Sequence, residues 1–194
     1  MISRGPLKRY LALGDSYTIG TGATDESHGW PAIIAARLGA ELNNPAVNGY
    51  TTEDLIRDEL PLVARLNPDI VTVLIGVNDL VQGRSSDQYR HSLATIYDAI
   101  EDRPVVAVSI PTWSYVPAAA GFGGAERVER LTGEFNDVGR GQATARGFAW
   151  VDIGPVSTSG IGSPGWIASD DLHPGDAQYA AWAEVIWPVV RRRV

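Results

Sequence analysis

Ser16 and His173, with Asp170 and Asp171 just ahead of the histidine, are the residues of this sequence whose types suit acyl transfer. Ser16 lies in Leu13-Gly14-Asp15-Ser16-Tyr17, directly after an apolar run, with Gly20 and Gly22 close behind. A serine hydroxyl is a weak nucleophile until a base takes its proton. Histidine is the usual base because its ordinary pKa lies near neutrality. A serine after a strand also serves as a turn former or helix cap, so its meaning depends on which histidine stands with it.

His28 falls in a polar stretch before Gly29-Trp30-Pro31, and His91 lies in a helical segment between Arg90 and Ser92. Both read as solvated side chains. His173 is different, because Asp170-Asp171-Leu172 precede it and Pro174 follows. A carboxylate one short turn away can hold an imidazole in one tautomer and stabilise its protonated form, the task of the third member of a Ser-His-Asp triad. From spacing alone, Asp170 and Asp171 compete for it. The order Ser, Asp, His is that of α/β-hydrolases, but the Gly-x-Ser-x-Gly elbow is missing around Ser16, which disfavours that family.

An acyl-transfer site also needs donors for the developing oxyanion. Gly49, in Val47-Asn48-Gly49-Tyr50-Thr51-Thr52, offers a backbone N–H unobstructed by a side chain. Asn78, in Gly76-Val77-Asn78-Asp79, offers a side-chain amide. Asp15 and Asp79 read as carboxylates that hold their loops.

Nearly continuous apolar runs at Tyr10 to Leu13, Ile70 to Ile75, Val105 to Ile110 and Phe148 to Ile153, with a weaker one within Ala40 to Val47, read as strands of a parallel sheet buried on both faces. Helical spacing separates them, as in Leu55, Ile56, Leu60 and Val63, or Val128, Leu131, Phe135 and Val138. The last helix is expected to start at Pro174 and to carry Pro188 as a kink. Strand and helix alternation predicts one domain over residues 1–194: a three-layer α/β/α sandwich around a doubly wound, parallel, five-stranded sheet that binds ligands at the carboxyl ends of its strands. Residues 111–124 and 154–169 are rich in Gly, Pro and Ser and follow predicted strands, so Trp113, Tyr115 and Trp166 are candidates for pocket walls. Trp30, Trp150, Trp182 and Trp187 read as core.

Gly14-Asp15-Ser16-Tyr17, Gly49, Gly76-Val77-Asn78-Asp79 and Asp170-Asp171-Leu172-His173-Pro174 together resemble the motif blocks of the SGNH, or GDSL-type, hydrolases, in that family's order and over residues 14 to 174. The resemblance implies a flavodoxin-like fold and carboxylester hydrolysis through an acyl-enzyme, on short- to medium-chain acyl or acetyl esters. It implies Ser16 as nucleophile, His173 as base and Asp170 as its orienting partner, since the family's Asp lies three residues before the His. Ser16 N–H, Gly49 N–H and Asn78 would form the oxyanion hole, with neither metal nor organic cofactor. Asn48 departs from the pattern, which often has glycine or serine there. An acyltransferase or thioesterase using the same triad is the alternative, and a catalytically silent carbohydrate- or lipid-binding module a third reading.

The resemblance implies a small-molecule ester as partner, and composition disfavours other classes. A net charge of −7 disfavours nucleic acid, and the basic run Arg191 to Arg193 suits a helix C-terminus. With no cysteine there is no thiolate chemistry. Lys8, the only lysine, suits neither a phosphate loop nor a Schiff base. No stretch has the length of a membrane span, which disfavours an integral membrane protein, and residues 1–9 lack the apolar core of a signal peptide, so the expected location is cytoplasmic.

Overall fold

Parallel pairing organises the chain, as the unbroken apolar runs require, and a computed structural model describes residues 8–194. Residues 1–7, which bear on the reading of the amino-terminal stretch, lie outside the described residues. The strands are β1 (Arg9–Gly14), β2 (Glu41–Asn43), β3 (Ile70–Leu74), β4 (Val105–Val108) and β5 (Ala149–Val151), all parallel, in the order β2-β1-β3-β4-β5. The side chains of β3 and β4 are buried throughout, because helices cover both faces.

The helices are α1 (Ser16–Ile19), α2 (Trp30–Leu38), α3 (Thr52–Asp54), α4 (Leu60–Leu66), α5 (Val77–Val81), α6 (Ser86–Asp98), α7 (Ala125–Ala145), α8 (Gly154–Thr158) and α9 (Asp176–Val190). On one side α2 packs on α9 and α8 on α9; on the other, α3 packs on α6 and α6 on α7. Trp30 and Trp182 are fully buried, while Trp150 and Trp187 pack against the core only partly covered. Among the described residues no helix is long and apolar enough to cross a membrane.

Two boundaries move for physical reasons. The last helix begins at Asp176 rather than Pro174, because Pro174 bridges to Ile167 and the Gly175 N–H donates back to the Trp166 carbonyl. Pro188 lies inside that helix, where it removes one backbone donor. The weak strand shrinks to Glu41–Asn43, where Asn44 turns its amide to the Thr18 carbonyl at 2.8 Å and accepts from the Ala46 N–H with its side-chain oxygen.

The strand order reverses between β1 and β3, since β1 has β2 on one side and β3 on the other. Such a switch point opens a crevice at the carboxyl ends of the two strands. The register pairs Gly14 with Leu74, so the segments carrying Ser16 and Asn78 leave the sheet side by side.

Candidate active site

Ser16 is placed by the end of β1. A Cβ on Gly14 would lie 2.2 Å from the Leu74 carbonyl oxygen and from Thr18 Oγ1, so only glycine lets the chain turn so tightly against β3. Asp15 then caps α1, its Oδ1 accepting from the Tyr17 N–H at 3.0 Å. Ser16 opens the helix and is 7% exposed; like any first-turn residue, its N–H has no intrahelical acceptor. Trp30 donates its indole N–H to the Tyr17 carbonyl at 3.0 Å, tying this turn to the core.

The segment bearing His173 is brought against the same turn. The Tyr17 ring meets the His173 imidazole edge-to-face, with centroids 6.0 Å apart. A Cβ on Gly22 would lie 2.5 Å from the Pro174 carbonyl oxygen and 3.1 Å from His173 Cβ. Asp170 gathers the segment: Oδ1 accepts from the N–H groups of Leu172 and His173 at 3.0 and 2.9 Å, and Oδ2 from the ring Nδ1 of His173 at 2.6 Å. Burial works against the Asp170 charge, but these donors outweigh it and hold the carboxyl below its ordinary range. Asp171 is exposed, takes a left-handed φ of 60°, and is fixed through its backbone by the Ala118 and Ala168 peptides.

Gly49 and Asn78 converge from the other side. Asn78, in α5, donates through Nδ2 to the Tyr50 carbonyl at 2.9 Å, next to Gly49. Gly49 is exposed, with φ at 83° and open space where a Cβ would stand. Glycine is thus required here by its backbone conformation rather than by crowding. The departure at Asn48 has a local purpose, since its side-chain oxygen accepts from the Thr21 hydroxyl and ties this loop to the one behind Ser16. Asp79, fully buried, accepts from the Thr52 N–H at 2.9 Å and its hydroxyl at 2.6 Å. Burial pushes the Asp79 carboxyl up, against those donors. Asp15, also fully buried, is pushed up to about 7 by burial, and the nearby Asp79 adds to this.

The remaining candidates are dispersed. Exposed His28 pairs with Asp176 at 2.9 Å, and His91 is exposed on α6. Trp113 and Tyr115 border a narrow crevice of about 10 Å³ with Tyr17 and Leu172. Trp113 also lines a broader cleft of about 470 Å³ that Asn136, Asp152 and Gly154 share. Trp166 is buried, its indole N–H on the Ser157 carbonyl at 3.0 Å, and braces the loop from beneath. Sequence reasoning missed Tyr17, which touches His173, and Glu59, whose Oε2 accepts from the Gly14 N–H at 2.9 Å. Glu59 had a visible signal: it stands four residues from both Leu55 and Val63, on the buried stripe of its helical segment.

A family model described as the GDSL-like lipase/acylhydrolase family matches residues 12–181. The sequence is similar to a lipase of Streptomyces rimosus, 28% identical over 186 residues that cover 74% of this chain and 69% of the lipase. It is also similar to Esterase TesA of Pseudomonas aeruginosa, 26% identical over 191 residues that cover 93% of this chain and 87% of the esterase. A crystal structure of TesA superposes with a TM-score of 0.78 over 96% of this chain and 100% of that one, at 25% identity.

Proposed function

The chain belongs to the GDSL-like lipase/acylhydrolase family, and from that premise we propose that it hydrolyses carboxylic esters with Ser16, His173 and Asp170 as its catalytic triad. The observation that carries this reading is the 2.6 Å contact between Asp170 and His173, on a segment docked by Tyr17 and Gly22 against the Ser16 turn. With Nδ1–H committed to Asp170, Nε2 keeps its lone pair for the serine proton.

In this scheme the Ser16 oxygen bonds to the acyl carbon while His173 Nε2 takes the hydroxyl proton. The tetrahedral oxyanion is met by the N–H groups of Ser16 and Gly49 and by Asn78. An amide nitrogen has two hydrogens, so Asn78 can hold the Tyr50 carbonyl with one and the oxyanion with the other. When the carbon–alkoxide bond breaks, His173 returns the proton to the leaving alcohol. Water then attacks the acyl-Ser16 ester while His173 takes its proton; the bond between the acyl carbon and the Ser16 oxygen breaks, His173 returns the proton to Ser16, and the carboxylic acid departs.

Acetyl and short- to medium-chain acyl groups suit the surroundings. The crevice between Tyr17, Trp113 and Tyr115 has about 10 Å³, roughly the room of one water. A shallow, open depression of about 340 Å³ lies beside exposed Ile19 and Val47. The test is a panel of nitrophenyl esters from acetate to decanoate. Turnover is expected for the shorter chains and is lost in Ser16→Ala; no turnover on any chain length by folded protein would refute the reading.

A further inference from the structure

Three carboxyl groups are buried beneath the Ser16 turn, and two have local structural tasks: Asp15 caps α1 and Asp79 holds Thr52. The third, Glu59, is 1% exposed and comes from a different part of the chain. Its position follows from Pro61. Proline has no N–H for the carbonyl four residues back and crowds it, and the helical segment answers with a π turn over Leu55–Glu59, in which the Leu60 N–H reaches the Leu55 carbonyl. Single π turns of this kind are often found at functional sites. Glu59 thereby reaches under β1 and accepts the Gly14 N–H at 2.9 Å, one peptide ahead of the Asp15 cap and two residues before Ser16.

The far oxygens of the two acids are telling. Among the described residues, neither Glu59 Oε1 nor Asp15 Oδ2 has a hydrogen-bond partner, although both are buried. A buried carboxylate with an unmet oxygen is costly, and two of them flanking one peptide also repel. One proton held by the pair removes most of that cost. Burial favours Glu59 as its holder: it pushes Glu59 up to about 8, Asp15 and Asp58 add to the effect, and the Gly14 N–H opposes it. Asp79 acts on Asp15 from α5, with Arg84 3.8 Å from Asp79 as the facing cation. Around Asp15 the facing phenols are those of Tyr17, Tyr89 and Tyr179.

We propose that Glu59 is a positioning residue for ester hydrolysis: as a neutral acid it holds the Leu13–Gly14 peptide through the Gly14 N–H, and so the Ser16 turn, and when it ionises the repulsion between two buried carboxylates, Glu59 and Asp15, displaces that turn. This rests on Ser16 being the nucleophile. A merely structural Glu59 would affect folding without imposing a pH limit on turnover, and that difference is measurable.

Steady-state kcat and KM for nitrophenyl butyrate are to be measured from about pH 5 to about pH 10 on wild type, Glu59→Gln and Glu59→Ala, with thermal unfolding alongside. Glutamine keeps an acceptor for the Gly14 N–H but cannot ionise. The expected result is a wild-type kcat that falls above about pH 8, with KM changed much less. Glu59→Gln should hold kcat within about threefold of wild type at neutral pH and lack that alkaline fall. Glu59→Ala, where it folds, should lose about tenfold or more in kcat, as small misplacements of a reacting group do. The proposal is overturned by an alkaline fall in Glu59→Gln matching that of wild type, or by a wild type with none. Turnover that survives Ser16→Ala would overturn the triad itself, and the positioning role with it, and is read independently of the pH profiles.

Discussion

Asp170 and His173 form a closed local unit in which one carboxylate accepts both the ring N–H and the backbone N–H of the same histidine, at 2.6 and 2.9 Å. The ring can therefore neither rotate nor change tautomer without losing the same partner that fixes its peptide. Asp171, the adjacent acid, is held away by a φ of 60°.

The two acids should accordingly differ sharply on substitution. Asp170→Ala is expected to lower kcat by about 10⁴-fold, the loss that follows when a triad carboxylate no longer holds its histidine. Asp171→Ala should stay within a few fold of wild type, as exposed substitutions usually do. Parallel kcat measurements check this, and the reverse ranking would move the role to Asp171.

Asn78→Ala should cost about 10²- to 10³-fold in kcat, the ordinary loss of one oxyanion donor. KM should change far less, because the donor acts on charge that develops only in the transition state. An effect mainly on KM would instead make Asn78 a substrate contact of equal strength in the ground and transition states.

Asp15 makes stability depend on pH. Its carboxyl stands near 3.8 in the open chain and about 7 when folded, so the unfolded chain loses this proton first as pH rises. Stability from this group is complete below about pH 3.8, falls as pH climbs toward about 7, and is then lost, by an amount on the order of 4 kcal/mol. Asparagine can keep the cap on Tyr17 without the charge. The Tm of Asp15→Asn relative to wild type should therefore rise between about pH 4 and about pH 7; a flat difference would show that the charge costs nothing.

How far these features could be read in advance depends on what sets them. Ser16 and Asn78 could be singled out because each follows a strand end fixed by apolar runs, and Gly49 because a glycine N–H in a turn before a helix is unobstructed by a side chain; its left-handed φ is a feature of the fold. Between Asp170 and Asp171 spacing alone was undecided and only the family resemblance favoured Asp170, since the backbone angle of Asp171 depends on the Ala168 carbonyl within its own turn and on the distant Ala118 N–H. Glu59 stands on the buried stripe of Leu55, Ile56, Leu60 and Val63, which reads as an ordinary amphipathic helix; the π turn that brings its carboxyl to the Gly14 N–H is not visible in that spacing. The shortening of the last helix was hidden for another reason, as it depends on the local bridge between Ile167 and Pro174, which the apolar spacing does not encode.

The claim that Ser16 is the nucleophile is tested most directly by a fluorophosphonate, whose phosphorus is attacked by an activated serine and stays bound. Mass spectrometry of the digested protein should place a single adduct on the peptide containing Ser16, with no labelling of Ser16→Ala and much slower labelling of His173→Ala. An adduct on another residue, or labelling of Ser16→Ala at the wild-type rate, would contradict it.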